Sequence, residues 1–284
     1  MDEKILQWFP GHMRKAQRLI EENLPLVDVV IELLDARIPS SSQNPMLREI
    51  IGDKPRLIVL GKADLAAKNF TAAWLEHFRE KNLPAVAVDA VKGSGLKQLI
   101  ALAKSLAESK THKLTKHGVK PRSARVMIVG IPNVGKSSLI NRLAGAAHVK
   151  IENRPGVTRA KQWIKIADGL DLLDMPGILQ PKFDDAEVTL KLAWTYAISD
   201  EIHDLELMTC KLLETLAEKF PAGLIERYKL SAPLESDGHV LLNQIGLKRG
   251  CIRKGGILDD DKAIRLVLSD FRDGKLGRVT LDEL

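Results

Sequence analysis

The chain has 284 residues, 45% of them hydrophobic and 28% charged, a balance that excludes an intrinsically disordered protein and suits two ordinary globular domains. Its net charge of +6 favours a polyanionic partner, nucleic acid ahead of membrane, and no run approaches the roughly 18 apolar residues of a membrane span. The two cysteines, Cys210 and Cys251, exclude a disulfide framework and sit in no metal-ligand spacing, so a reducing, cytoplasmic setting is expected.

From the N-terminus, MDEKILQWFPGHM begins acidic and lacks the apolar segment of a secretory signal. Residues 11–24 read as an amphipathic helix, with Met13, Ala16 and Ile20 on one face and Arg14, Lys15 and Arg18 on another. VDVVIELLDAR (27–37), RLIVLGKAD (56–64) and PAVAVDA (84–90) read as strands, with a helix at 70–81 between the last two. Near-continuous apolar strands separated by helices predict a mostly parallel sheet with helices on both faces. After a helix at 95–108, residues 109–125 lose hydrophobic periodicity. They carry Lys110, Lys113, Lys116, Lys120, Arg122 and Arg125, which reads as an exposed basic linker able to touch phosphates. A strand at 126–130 and a helix at 137–145 follow, then a hairpin over 163–174 with Asp168-Gly169 at its turn.

From about residue 183 the signals are helical. Leu213, Leu216, Ala217 and Phe220 keep helical spacing as far as Pro221, and Ile264, Val267, Leu268 and Phe271 repeat it between Asp259–Asp261 and Gly274. Between them LKRGCIRKGG (247–256) reads as a basic loop. The expected organisation is an α/β domain over 1–182 and an all-helical domain over 183–284.

Gly130-Ile131-Pro132-Asn133-Val134-Gly135-Lys136-Ser137, followed by Ser138, matches G-x-x-x-x-G-K-[ST] between a strand and a helix. The glycines let the backbone turn its N–H groups inward on phosphates, and Lys136 adds a positive charge at the β- and γ-phosphates. Ser137 opens the helix, whose N-terminus favours anions, and offers a hydroxyl to Mg²⁺. Downstream, Thr158 in Pro155-Gly156-Val157-Thr158 is placed to reach the same metal. In Asp174-Met175-Pro176-Gly177, Asp174 is placed to hold the metal through water and the Gly177 N–H to reach the γ-phosphate. Choosing guanine over adenine needs a carboxylate facing N1–H and the exocyclic amine; Asp64 in GKAD supplies one, with the Lys62 stem against the base. Each such charge-assisted hydrogen bond is worth about 1.5–3 kcal/mol. Asp89-Ala90 follows the next strand, where a backbone N–H is needed for the base. Gly61 stands where this motif usually has Asn or Thr, which predicts a loosely held base loop.

These motifs resemble those of translation-factor-type GTPases, but the base-reading segments precede the phosphate loop. That order is the pattern of the circularly permuted GTPases. WFPGHMRKA (8–16) with LLDARIP (33–39) resembles the ribosome biogenesis GTPase A family, including its mitochondrial members. The resemblance implies a circularly permuted P-loop GTPase domain, and hydrolysis of GTP to GDP that is slow alone and stimulated by a ribosomal subunit. Ile178 occupies the place of a water-orienting Gln. The resemblance therefore implies His12 in hydrolysis, and Asn133 as a ligand of K⁺ in place of an arginine finger. It further implies assembly of the large ribosomal subunit, in the cytoplasm or, in a eukaryotic relative, the mitochondrial matrix; a monomer is expected. Arg14, Lys15, Arg18, Lys248, Arg249, Arg253 and Lys254 are then candidate rRNA contacts. Two other readings stay open: a nucleotide-gated rRNA-binding module with incidental hydrolysis, and a tRNA-modification GTPase, against which the lack of a modification centre counts.

Overall fold

All seven residues of β1 (Val29–Asp35) are buried, which is why VVIELLD shows no polar–apolar alternation. Five more strands join it: β2 (Arg56–Gly61), β3 (Ala85–Ala87), β4 (Ala124–Gly130), β5 (Trp163–Ala167) and β6 (Leu170–Asp174). Their order across the sheet is β3-β2-β1-β4-β6-β5, parallel throughout except for the β5–β6 hairpin. The structure is a computed structural model that describes residues 11–115, 122–145, 163–179, 185–202 and 204–284.

The first strand of the chain thus lies mid-sheet, and the later β4 lies beside it. Successive strands run outward from β1 through β2 to β3, and the chain then returns to the other side of β1. A crevice opens at such a reversal, outside the carboxyl ends of the strands. At the opposite edge the Asp28 carboxylate accepts two hydrogen bonds from Arg122, at 2.9 and 2.8 Å, and one from the Arg125 amide at 2.9 Å.

Five helices accompany the sheet: α1 (Gly11–Asn23), α2 (Pro45–Ile51), α3 (Lys68–Glu80), α4 (Leu96–Thr115) and α5 (Lys136–Ala144). α1 buries Met13, Ala16 and Ile20 and exposes Arg14, Lys15 and Arg18, as its spacing predicts. Trp74 and Phe78 of α3 pack on Leu34, Ile58 and Leu60 of β1 and β2. α2 has no counterpart in the expected elements; Asn44 caps it by accepting from the Met46 amide, with Pro45 in its first turn.

Two features correct the expected basic linker. α4 continues to Thr115, because AESKTHKLT contains neither Gly nor Pro and Ala, Glu, Lys and Leu favour helix without an apolar stripe. Arg122 is bound to Asp28, and Arg125 is the second residue of β4, its guanidinium 5.0 Å from the Trp163 ring centroid. Both are structural pairs, not free contacts for phosphate. Lys116 and Lys120 lie outside the described residues.

The chain divides into two compact units: Met1–Ala186 with Thr280–Leu284, and Glu187–Val279. The second contains α7 (Leu205–Lys219), α8 (Pro221–Tyr228), α9 (Gly238–Lys248) and α10 (Asp260–Arg272), after α6 (Ala186–Trp194) at the junction. Pro221 ends α7 and opens α8, where its missing N–H costs nothing. α7 and α9 cross closely at Gly238, where a Cβ would stand 2.4 Å from the Cys210 carbonyl oxygen. The buried Asp270 of α10 accepts from Arg227 at 2.8 and 2.9 Å and from the Tyr228 hydroxyl at 3.1 Å.

Candidate nucleotide-binding site

Loops leaving the carboxyl ends of β1, β2, β4 and β6 meet at the crevice. After β4 the backbone turns at Gly130, where a Cβ would stand 2.5 Å from the Leu33 carbonyl oxygen, so no other residue fits. Asn133 (φ 54°) and Gly135 (φ 104°) take left-handed conformations, and the chain enters α5 at Lys136. The Lys136 ammonium folds back to donate to the carbonyls of Gly130 at 3.2 Å and Ile131 at 2.9 Å. Burial lowers its pKa to about 8; Asp174 opposes that fall and Lys62 adds to it. Val134 is buried in the loop, Ser137 is half-buried at the helix N-terminus and Ser138 is exposed.

Asp174 ends β6, buried, with its pKa raised by desolvation against the pull of Lys136. Beyond it Gly177 crosses the phosphate loop: a Cβ there would stand 2.8 Å from Pro132 Cα and 3.0 Å from Lys136 Nζ. The Ile178 amide donates to the Gly130 carbonyl at 3.2 Å, and Asn44 Nδ2 donates to the Ile178 carbonyl at 3.1 Å. The Ile178 side chain is fully buried in the core. A buried carboxylate whose cationic neighbour donates to backbone carbonyls, with the Ser137 hydroxyl nearby on α5, fits a hard cation such as Mg²⁺. Among the described residues no three His, Cys, Asp or Glu side chains cluster as an all-protein metal cage.

At the end of β2, Lys62 (φ 54°) donates to Asp35 Oδ2 at 3.0 Å and to the Asn133 carbonyl at 2.9 Å. The base loop is therefore tied to the phosphate loop by Lys62 itself, which corrects the expectation of looseness from Gly61. A Cβ at Gly61 would stand 2.9 Å from Leu33 Cδ1, so close strand packing accounts for the glycine. Asp64 is half-buried in the turn closed by the Leu65 amide on the Lys62 carbonyl at 2.9 Å. The Asp89 carboxylate accepts from the amides of Val91 at 2.8 Å and Lys92 at 2.9 Å, so it shapes the turn through Ala90.

A family model described as a 50S ribosome-binding GTPase matches residues 125–222. The ribosome biogenesis GTPase A of Bacillus cereus is 49% identical over 278 residues, which is 98% of this chain and 94% of that protein. The chain belongs to the ribosome biogenesis GTPase A family. Mitochondrial ribosome-associated GTPase 1 of Mus musculus is 35% identical, over 98% of this chain and 90% of its own. The crystal structure of GNP-bound YlqF from T. maritima aligns with a TM-score of 0.68 at 28% identity, covering 94% of this chain and 97% of that one. The family-model match begins within β4, so the Gly61–Asp64 and Asp89-Ala90 segments of this ribosome biogenesis GTPase A relative stand before it in the chain.

Three residues at this site carried no role in the sequence: Asp35, Arg37 and Asn44. Arg37 Nε and amide donate to Asp35 Oδ1, both at 3.0 Å, and Arg37 Nη2 to Oδ2 at 2.8 Å, with both side chains buried. Burial alone would raise the Asp35 pKa, but Arg37 and Lys62 hold it well below the usual carboxylate range. The available signal was a wholly apolar strand ending in Asp-Ala-Arg, since buried charges require partners.

Of the other candidates, His12 is the second residue of α1 and its side chain lies outside the described residues, as does Thr158. Lys248, Arg249, Arg253 and Lys254 are exposed in the second unit. Arg253 pairs with Asp259 at 3.1 Å and Asp261 at 3.3 Å. Arg249 lies 5.5 Å from the Tyr228 ring centroid and donates to the Arg227 carbonyl, and Lys248 donates to the Lys229 carbonyl.

Proposed function

We propose that the chain hydrolyses GTP as an assembly factor of the large ribosomal subunit, docking with GTP and leaving after hydrolysis. The passage of Gly177 over Pro132 and Lys136 carries this reading, because a backbone N–H so placed gains or loses a partner with the γ-phosphate. The family's ribosomal relatives and the basic surface support the choice of partner.

In this reading Lys136 and the inward amides of the loop from Asn133 to Ser138 hold the phosphates, and charge neutralisation there supplies most of the catalysis. Asp64 selects guanine, Lys62 supports the base loop, and the turn at Asp89-Ala90 closes the pocket's far side. Ser137 and Asp174, with Thr158, would hold Mg²⁺, which would add positive charge beside the phosphates. The buried Ile178 orients no water, so that task falls to His12, and K⁺, if bound, would be held at Asn133 and add positive charge. The exposed Arg14, Lys15, Arg18 and the basic residues 248–254 bind rRNA phosphates, an interaction that weakens steeply with salt.

The test is GTP hydrolysis in K⁺ buffer, with and without purified large subunits, for wild type and His12→Ala. Stimulation by the subunit of at least tenfold, abolished in His12→Ala while GTP binding persists, is the expected result. The burial of Ile178 favours one other reading, an rRNA-binding module gated by nucleotide whose hydrolysis is incidental. No stimulation by mature or precursor subunits would favour that module.

A further inference from the structure

The last residues of the chain return to the sheet unit and bind it by side chains as well as backbone. Asp282 is 3% exposed, and its Oδ2 accepts from the amides of Ser40 at 2.8 Å and Ser41 at 2.7 Å. Its Oδ1 accepts from the Ser41 hydroxyl at 2.8 Å. A buried carboxylate on three donors of one turn is a strong and directional clasp. The Leu281 amide donates to the Arg37 carbonyl at 2.7 Å, and Trp74 Nε1 donates to the Asp282 carbonyl at 3.4 Å. Thr280 Oγ1 accepts from the amide of Ala67, the N-cap of α3 and the exit of the base loop, at 3.1 Å.

What these three residues hold is the segment between β1 and α2. One end carries Asp35, which takes Lys62 and so the phosphate-loop carbonyl of Asn133. The other end carries Asn44, which takes the Ile178 carbonyl directly after Gly177. Between them, the Ser42 hydroxyl bridges the Asp35 amide at 3.1 Å and the Ile38 carbonyl at 2.7 Å, so the turn moves as one piece. The tail therefore reaches the loops at Lys62 and Ile178 only through this turn, by way of Arg37 and Asp35 on one side and Asn44 on the other.

We propose that Thr280–Asp282 is a positioning element of the nucleotide site, with Asp282 fixing the 37–42 turn so that Lys62 and Ile178 are held in register with the phosphate loop. The inference rests on the guanine-nucleotide reading above and adds to it a determinant of nucleotide retention outside every nucleotide motif. Loss of the clasp lets the base loop open and speeds nucleotide release.

The experiment uses the full chain loaded with a fluorescent GDP, and measures its dissociation rate together with the fraction of sites filled. Asp282→Ala is expected to release GDP about tenfold faster at full occupancy. Asp282→Asn, which keeps an oxygen on the two amides and turns its NH₂ to the Ser41 hydroxyl, restores the rate to within twofold of wild type. Thr280→Val, which loses only the bond from Ala67, is expected to accelerate release two- to fivefold and serves if Asp282→Ala does not fold. Release unchanged in Asp282→Ala, with the Ser40 and Ser41 amides exchanging faster, would overturn the proposal. So would Asp282→Asn as fast as Asp282→Ala, or reduced occupancy at an unchanged rate, the signature of partial unfolding. Failure of the wild type to bind GDP would instead sink the nucleotide reading.

Discussion

Lys136 lies buried in the phosphate loop with a pKa of about 8, drawn down first by desolvation. The ammonium is the form that binds phosphate, and phosphate raises its pKa again. Below pH 8 the side chain is already charged and affinity is flat; above it a growing neutral fraction must take up a proton on binding. GDP affinity is therefore expected to fall above pH 8, by up to about tenfold per unit, with uptake of about half a proton at pH 8. Calorimetry in buffers of different ionisation enthalpy measures that uptake, and none at pH 8 would contradict it. The phosphate-loop residues were legible because backbone geometry demands them: a side chain at Gly130 collides with Leu33. Asp35, Arg37 and Asn44 were not, since their roles come from partners such as Lys62 and Ile178 that are close only after folding.

At the level of elements, the permuted order is accommodated because β1 pairs in parallel with both β2 from its own half and β4 from the other. The junction is closed at the amino edge by the Asp28–Arg122 pair. Arg122 is partly exposed and leaves Asp28 the Arg125 amide, so Arg122→Ala is expected to cost about 1–2 kcal/mol. That corresponds to a melting temperature lower by about 2–8 °C, with GDP affinity unchanged. Scanning calorimetry beside GDP titration checks both parts; a changed affinity with unchanged melting would reverse the assignment. The buried strands, α1 and the 163–174 hairpin were readable from periodicity and turn chemistry. α2 was missed because seven residues carry too little periodicity, although Asn44-Pro45 was a start signal. Residues 109–115 of α4 were missed because helix propensity acted there without an apolar stripe.

At the scale of the molecule, the chain leaves the first unit about ten residues after Gly177 and re-enters it at Thr280. Both covalent entries to the helical unit are thus attached to segments that bind the nucleotide loops, Ile178 through Asn44 and the 37–42 turn through Asp282. Hydrogen exchange within residues 187–279 is accordingly expected to differ between GDP and a non-hydrolysable GTP analogue. Identical exchange would show that the helical unit does not sense the nucleotide. The change to helical signals near residue 183 was visible in sequence, but the return of Thr280–Leu284 was not. TLDEL has no period to read, and only the buried Asp282 reveals its destination.

That return has a consequence during biosynthesis. Ser41 is separated by 241 positions from the carboxylate that clasps it. At about 5–20 residues per second, the turn beside Lys62 emerges roughly 10–50 s before its partner is made. Once Gly177 has been made, and for the rest of that interval, a nascent chain carries these nucleotide motifs with the turn behind them unclasped, and the first unit closes only once translation has passed Asp282.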